Sequence, residues 1–167
     1  MFIDSHCHLD FPEFQSRLPE VLANMQLAKV SNALCVSVDL PDFPNVLKLA
    51  QDHPHLYASV GVHPDYENIT EPSLDELVRL ADHPKVIAIG ETGLDYFRMK
   101  GDLEWQRERF RVHIRASRAC GKPLIIHTRN ASEDTLRILQ EEKAGTDQGG
   151  VAGVMHCFTE SLEVANA

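Results

Sequence analysis

The sequence has no long apolar run, no paired-cysteine motif, no glycine-rich nucleotide loop and no excess of basic residues. Because no apolar run approaches the length of a membrane span, and no basic region precedes an apolar segment at the N-terminus, we expect neither a membrane protein nor an exported one. The four cysteines include no C-x-x-C pair, so we expect reduced thiols and a cytoplasmic location. The absence of G-x-G-x-x-G from the first loop weakens a dinucleotide-binding interpretation.

Positive charge is also scarce. The chain has 16 Lys and Arg against 25 Asp and Glu, for a net charge of −9. This balance argues against a broad basic surface that grips nucleic acid through many phosphates. An anionic substrate would need local positive charge instead, and bound divalent cations are the obvious source.

Length and composition are those of one globular domain. The 167 residues are 43% hydrophobic and 25% charged, which is ordinary for a globular protein with a real core. No linker, low-complexity tract or charge block divides the chain. We therefore treat residues 1–167 as a single domain.

Short β-branched runs alternate with longer helical patterns along the chain. The predicted strands span 2–5, 33–38, 56–62, 86–90, 124–126 and 151–155. The predicted helices span 15–29, 45–51, 73–81, 102–119 with Asp102 as its cap, and 132–143. Repeated βα units with continuous apolar strands predict an α/β fold with a parallel sheet covered by helices. Six such units favour a TIM (β/α)₈-type barrel, incomplete in this chain, over a doubly wound sheet.

The first strand carries the most informative pattern. Side chains alternate faces along a strand, so His6 and His8 are expected to project to the same side. Two imidazoles on one side of a strand end can bind one metal ion.

Metal-binding residue types also follow the later predicted strands. In barrels the chemistry lies at the carboxyl ends of the strands, and the residues found there are His63, Glu91, His127 and His156. We predict that His6 and His8 hold one divalent ion, that His127 and His156 hold a second, and that Glu91 bridges them as the catalytic carboxylate. Such a pair of ions polarises a substrate oxygen and generates hydroxide from water, which suits phosphodiesters and also amides and esters.

Five segments together carry a family resemblance. They are FIDSHCHLD at 2–10, GVHP at 61–64, GETGLDY at 90–96, HTR at 127–129 and MHCF at 155–158. The set resembles the TatD family of metal-dependent hydrolases, TIM barrels related to the amidohydrolase superfamily and described as 3′-to-5′ exodeoxyribonucleases on single strands. The resemblance implies the same metal ligands and makes His63 and Arg129 phosphate or substrate contacts.

The resemblance implies single-stranded DNA as the substrate. From the sequence itself we expect no membrane association, and no stable protein partner is evident. Two divalent ions are implied as cofactors. Although the family is called magnesium-dependent, imidazole ligands suit zinc or manganese better than magnesium. An amide or ester hydrolase, such as an aminoacyl-tRNA deacylase, would use the same ligands and stays open as an alternative.

The chain departs from the family pattern at its end. The pattern continues with two more strands and a metal-binding aspartate, and barrels of this type run to about 250 residues, whereas this chain stops at Ala167. We therefore expect a C-terminally truncated domain. An inactive metal-binding fragment is a further alternative, because no aspartate present is an evident substitute; Asp95 is the nearest in motif.

We interpret the remaining polar side chains as exposed surface residues. A stripe of arginines on the long helix is expected to face solvent, balanced by glutamates, with Leu103, Phe110 and Ile114 on the buried side. Four further histidines are expected on the surface: His53, His55, His83 and His113.

Overall fold

The computed structural model describes residues 1–145 and 152–167. The six strands described are β1 Phe2–Cys7, β2 Val30–Cys35, β3 Leu56–Val60, β4 Val86–Asp95, β5 Leu124–Arg129 and β6 Gly153–Met155. The helices described are α1 Pro12–Gln15, α2 Leu18–Leu27, α3 Phe43–Asp52, α4 Leu74–Ala81, α5 Glu104–Cys120, α6 Ser132–Glu141 and α7 Leu162–Asn166. No helix in these ranges has both the length and the apolar character needed to cross a bilayer.

The strands lie in chain order in one sheet, β1 to β6, and every neighbouring pair is parallel. The sheet curls into a half-barrel, which confirms the predicted TIM-barrel type of α/β fold. The core lies between the sheet and its helices, with Phe110, Leu56 and Ile89 among its fully buried side chains. Parallel order brings the carboxyl ends of all strands to one rim.

Several element boundaries differ from the prediction; β2, for example, spans Val30–Cys35 where 33–38 was predicted. The predicted helix 15–29 corresponds to α2, which begins at Leu18 with Pro19 in its first turn, where the missing N–H costs nothing; the short α1 precedes it. The predicted strand 86–90 continues to Asp95, so Glu91 lies inside β4 and not after it. Gly93 does not end the strand; a Cβ there would lie 2.0 Å from the His127 carbonyl oxygen, so glycine permits close approach to β5. The predicted strand 151–155 is seen from 153, and residue 151 lies outside the described residues.

The predicted helix 102–119 is found as α5, but two details of the prediction are wrong. Its N-cap residue is Leu103, although the predicted cap Asp102 does accept the Glu104 N–H at 3.0 Å. Phe110 and Ile114 are buried as predicted. The prediction of a surface His113 is wrong, because its side chain is 0% exposed.

His113 links α5 to the loop after β3. Its Nε2 accepts the Val62 N–H at 3.1 Å, and its Nδ1 lies 2.8 Å from the Arg109 carbonyl oxygen, to which it donates. Burial lowers the pKa of His113 to about 4. The His113 imidazole is therefore neutral in the folded protein, and its Nε2 lone pair accepts the Val62 N–H of the loop.

This burial predicts a loss of stability in acid. The unfolded chain takes up the His113 proton near pH 6.5, whereas the folded chain does so only near pH 4, so the free energy of unfolding falls across that window by about 3 kcal/mol. Urea unfolding of the metal-free protein between pH 7 and pH 4 measures it. His113→Gln keeps a hydrogen-bond acceptor but does not titrate, so its curve should fall less steeply; parallel curves for the two proteins would contradict the prediction.

Candidate metal centre

The first pair of histidines converges as the strand alternation predicted. His6 lies near the end of β1 and His8 just beyond it, and their Nε2 atoms are 3.2 Å apart. His8 Nδ1 lies 3.0 Å from the Val36 carbonyl oxygen. Because a carbonyl only accepts, Nδ1 carries the proton and the Nε2 lone pair of His8 faces His6.

Glu91 is the centre on which the histidines converge. It is 3% exposed and sits within β4. Its Oε2 lies 3.3 Å from His6 Nε2, and its Oε1 lies 3.2 Å from His127 Nδ1. His63 Nε2 and His156 Nε2 are each 3.6 Å from Oε1. The two oxygens of one carboxylate thus face different sets of imidazoles.

The ionisation of the cluster follows from these contacts. Burial alone would raise the pKa of Glu91, but hydrogen bonds with His127 and His6, and the charge of His63, hold it well below its usual range. Burial lowers the pKa of His156, which favours the neutral imidazole that a metal requires. Burial also opposes the charged form of His127, yet its hydrogen bonds with Glu91 and Asp95 raise its pKa.

Asp95, to which the sequence analysis gave no ligand role, lies directly behind His127. Its Oδ2 lies 3.0 Å from His127 Nε2, which leaves His127 Nδ1 facing Glu91. Gln106 on α5 fixes Asp95 in turn, accepting its N–H at 3.0 Å and donating to its carbonyl at 3.1 Å. A carboxylate behind a histidine sets its tautomer and ring orientation, as in metal sites. The available signal was alternation, since positions 91, 93 and 95 share one face of a strand that continues past Gly90.

The donor set fits divalent ions. Two ligand atoms bound to one zinc ion at tetrahedral angles lie about 3.3 Å apart, close to the 3.2 Å between His6 Nε2 and His8 Nε2 and the 3.3 Å from His6 Nε2 to Glu91. A second group of donors consists of His63, Glu91 and His127. Imidazole nitrogens with one carboxylate suit zinc, manganese or iron better than magnesium.

The second pair of ligands was predicted as His127 and His156. His127 belongs to the second donor group, together with His63, which was predicted to contact substrate. The His156 ring stacks on His6 with centroids 3.6 Å apart. The four histidines predicted as ligands thus lie around Glu91, and the division of His63 and His156 between metal and substrate stays a prediction.

Arg129, the other predicted substrate contact, lies at the rim. Its guanidinium carbon is 3.8 Å from the centroid of the Phe97 ring. The cleft itself, about 310 Å³, is lined by His8, Phe11, Val38, His63, Asp65, Tyr66, Glu91, His127 and His156.

A parallel half-barrel with a histidine and carboxylate cluster near the carboxyl ends of its strands defines a barrel protein with a candidate metal site in the usual place. The chain belongs to the TatD family: the family described as TatD related DNase matches residues 3–167. It is 42% identical over 167 residues to the uncharacterized metal-dependent hydrolase YcfH of Escherichia coli, covering 98% of this chain and 61% of YcfH. It is 39% identical over 166 residues to the uncharacterized metal-dependent hydrolase YabD of Bacillus subtilis, covering 99% of this chain and 64% of YabD.

Solved structures agree with the fold. The crystal structure of YjjV, a TatD homologue from Escherichia coli, matches with a TM-score of 0.86 at 31% identity, over 99% of this chain and 63% of that one. A TatD family hydrolase from Entamoeba histolytica matches with a TM-score of 0.81 at 26% identity, over 99% of this chain and 60% of that one. The chain thus spans a little over three fifths of the length of these relatives.

Proposed function

We propose that the protein hydrolyses phosphodiester bonds of single-stranded DNA from the 3′ end, using water activated by two divalent ions. The observation that carries this proposal is the convergence of histidines from separate strands on the two oxygens of the buried Glu91. The family description, TatD related DNase, supports DNA as the substrate.

Each residue has a proposed role that its contacts support. His6, His8 and Glu91 would hold one ion, and Glu91 would hold the other together with His127, which Asp95 keeps in orientation. The ions, when bound, supply Lewis acidity and lower the pKa of water. His63 hydrogen-bonds Asp65 through Nδ1 and presents Nε2 to the cleft, where a phosphate oxygen would lie.

Charge explains how an acidic protein would attract an anionic substrate. The chain carries a net charge of −9, but two divalent ions held by neutral imidazoles and one carboxylate leave a local charge of about +3. The cleft would then be the electropositive part of an acidic surface.

All four cysteines are free, which supports the proposed cytoplasmic location.

The test is turnover after metal exchange. The chain is stripped with a chelator, reloaded separately with zinc, manganese or magnesium, and incubated with single-stranded oligonucleotides labelled at either end. We expect mononucleotides to appear first from the 3′ end. Absence of nucleotide release with every ion, in a protein shown to bind metal, would refute the nuclease proposal. Turnover of aminoacyl esters under the same conditions would then identify the amide or ester hydrolase.

A further inference from the structure

An exposed aromatic side chain lies at the rim next to the candidate metal centre. Phe97 follows β4 by two residues and is 48% exposed. The guanidinium carbon of Arg129 lies 3.8 Å from its ring centroid, and that of Arg98 lies 5.7 Å away. About half of the residue remains open to solvent beside two cationic groups.

The backbone ties this ring directly to the centre. The Phe97 N–H donates to Asp95 Oδ1 at 2.9 Å, while Oδ2 of the same carboxylate contacts His127 at 3.0 Å. Arg129 lies two residues beyond His127 on β5, and its carbonyl accepts the Tyr96 N–H at 2.9 Å. The segment that carries the ring is therefore anchored to the same carboxylate that contacts His127.

The two arginines at the rim differ from those on helix α5. Arg107, Arg111 and Arg115 all form ion pairs with carboxylates within 4 Å. Among residues 1–145 and 152–167, neither Arg98 nor Arg129 has a carboxylate within that distance. Their charges are therefore available to an anionic ligand, whereas Arg107, Arg111 and Arg115 on α5 are already paired.

We propose that Phe97, Arg98 and Arg129 form a nucleotide subsite, in which a base of a single-stranded nucleic acid stacks on the Phe97 ring and the arginines contact the adjoining phosphates. The inference rests on the proposed nuclease function and adds to it where the strand is held. Stacking on an aromatic ring accepts every base, and nearby guanidinium groups strengthen it. A phenyl ring offers no hydrogen bond that would select a sequence.

Phe97→Ala tests the subsite with oligonucleotides that carry an abasic position, moved stepwise from the 3′ end. For intact strands we expect Phe97→Ala to raise KM about 5- to 100-fold. For strands that are abasic at the stacked position, the KM of Phe97→Ala should approach that of the unaltered protein. Phe97→Tyr should restore KM. Phe2→Ala, which removes a more exposed phenylalanine (66%) at the amino end of β1, should match the unaltered protein.

Binding to the metal-free protein separates this inference from the nuclease proposal. Fluorescence anisotropy of a labelled oligonucleotide in chelator should show weaker binding by Phe97→Ala, and Arg129→Gln should reduce the slope of log K against log salt by about 1. If these effects occur without any cleavage, the nuclease proposal fails and the subsite stands. Equal binding by all variants, or an equal loss on intact and abasic strands, would overturn the subsite.

Discussion

Replacing Glu91 with glutamine is expected to remove most of the bound divalent metal and, with it, hydrolysis. The substitution keeps the size of the side chain but removes the negative charge that faces His6 on one side and His127 on the other. Loss of a partner outside the ligand shell typically costs 10- to 100-fold in metal affinity, so losing a bridging ligand should cost more than about 100-fold. Elemental analysis after dialysis, with isothermal titration of zinc, measures the effect.

Asp95→Asn should give a loss of metal affinity that is smaller than that of Glu91→Gln. Asp95 contacts His127 without facing the donor cluster itself, so we expect its loss to weaken metal binding by about 10- to 100-fold. The order of affinities should be unaltered protein, then Asp95→Asn, then Glu91→Gln. A Glu91→Gln variant that retains the full metal content would show that the histidines bind without the carboxylate, and the assigned bridge would be wrong.

The strand-end histidines could be predicted from sequence because two simple periodicities locate them. Alternation along β1 places His6 and His8 on one side, and parallel βα order brings the other strand ends to the same rim. Neither inference needs knowledge of packing. The fold class and the convergence on Glu91 therefore follow from local pattern alone.

Other features depended on contacts that no local pattern shows. Gly90 and Gly93 resemble strand breakers, but they lie where β4 and β5 approach too closely for side chains. Because the predicted strand ended at residue 90, the contact of Asp95 with His127 was not predicted. His113 resembles a surface residue on a polar helix, and only the loop after β3, which places the Val62 N–H against it, explains its burial. The surroundings of Asp95 and His113 are therefore set by backbone segments that are distant from them in sequence.

Arg109→Met is expected to destabilise the protein by about 2–4 kcal/mol, because two carbonyl oxygens and the partly exposed Glu71 lose the buried guanidinium that binds them. The Arg109 side chain is 1% exposed and binds Glu71 through two hydrogen bonds, at 2.7 and 2.6 Å. It also donates to the carbonyl oxygens of His63 at 3.1 Å and Tyr66 at 2.8 Å. Methionine fills a similar volume but leaves these acceptors without donors. Urea unfolding with chelator present measures the loss.

Arg115→Met on the same helix is the matched control. Arg115 also pairs with glutamates, but its side chain is 41% exposed, and such surface pairs contribute at most about 1 kcal/mol. If both variants lose a similar, small amount of stability, water replaces the guanidinium as the donor to the His63 and Tyr66 carbonyl oxygens. Arg109 would then not fix the loop. If the large loss is found, the position of His63 depends on a guanidinium on the far side of its loop, because that group binds the His63 carbonyl directly. The geometry of the rim is then set by α5 as well as by the strands.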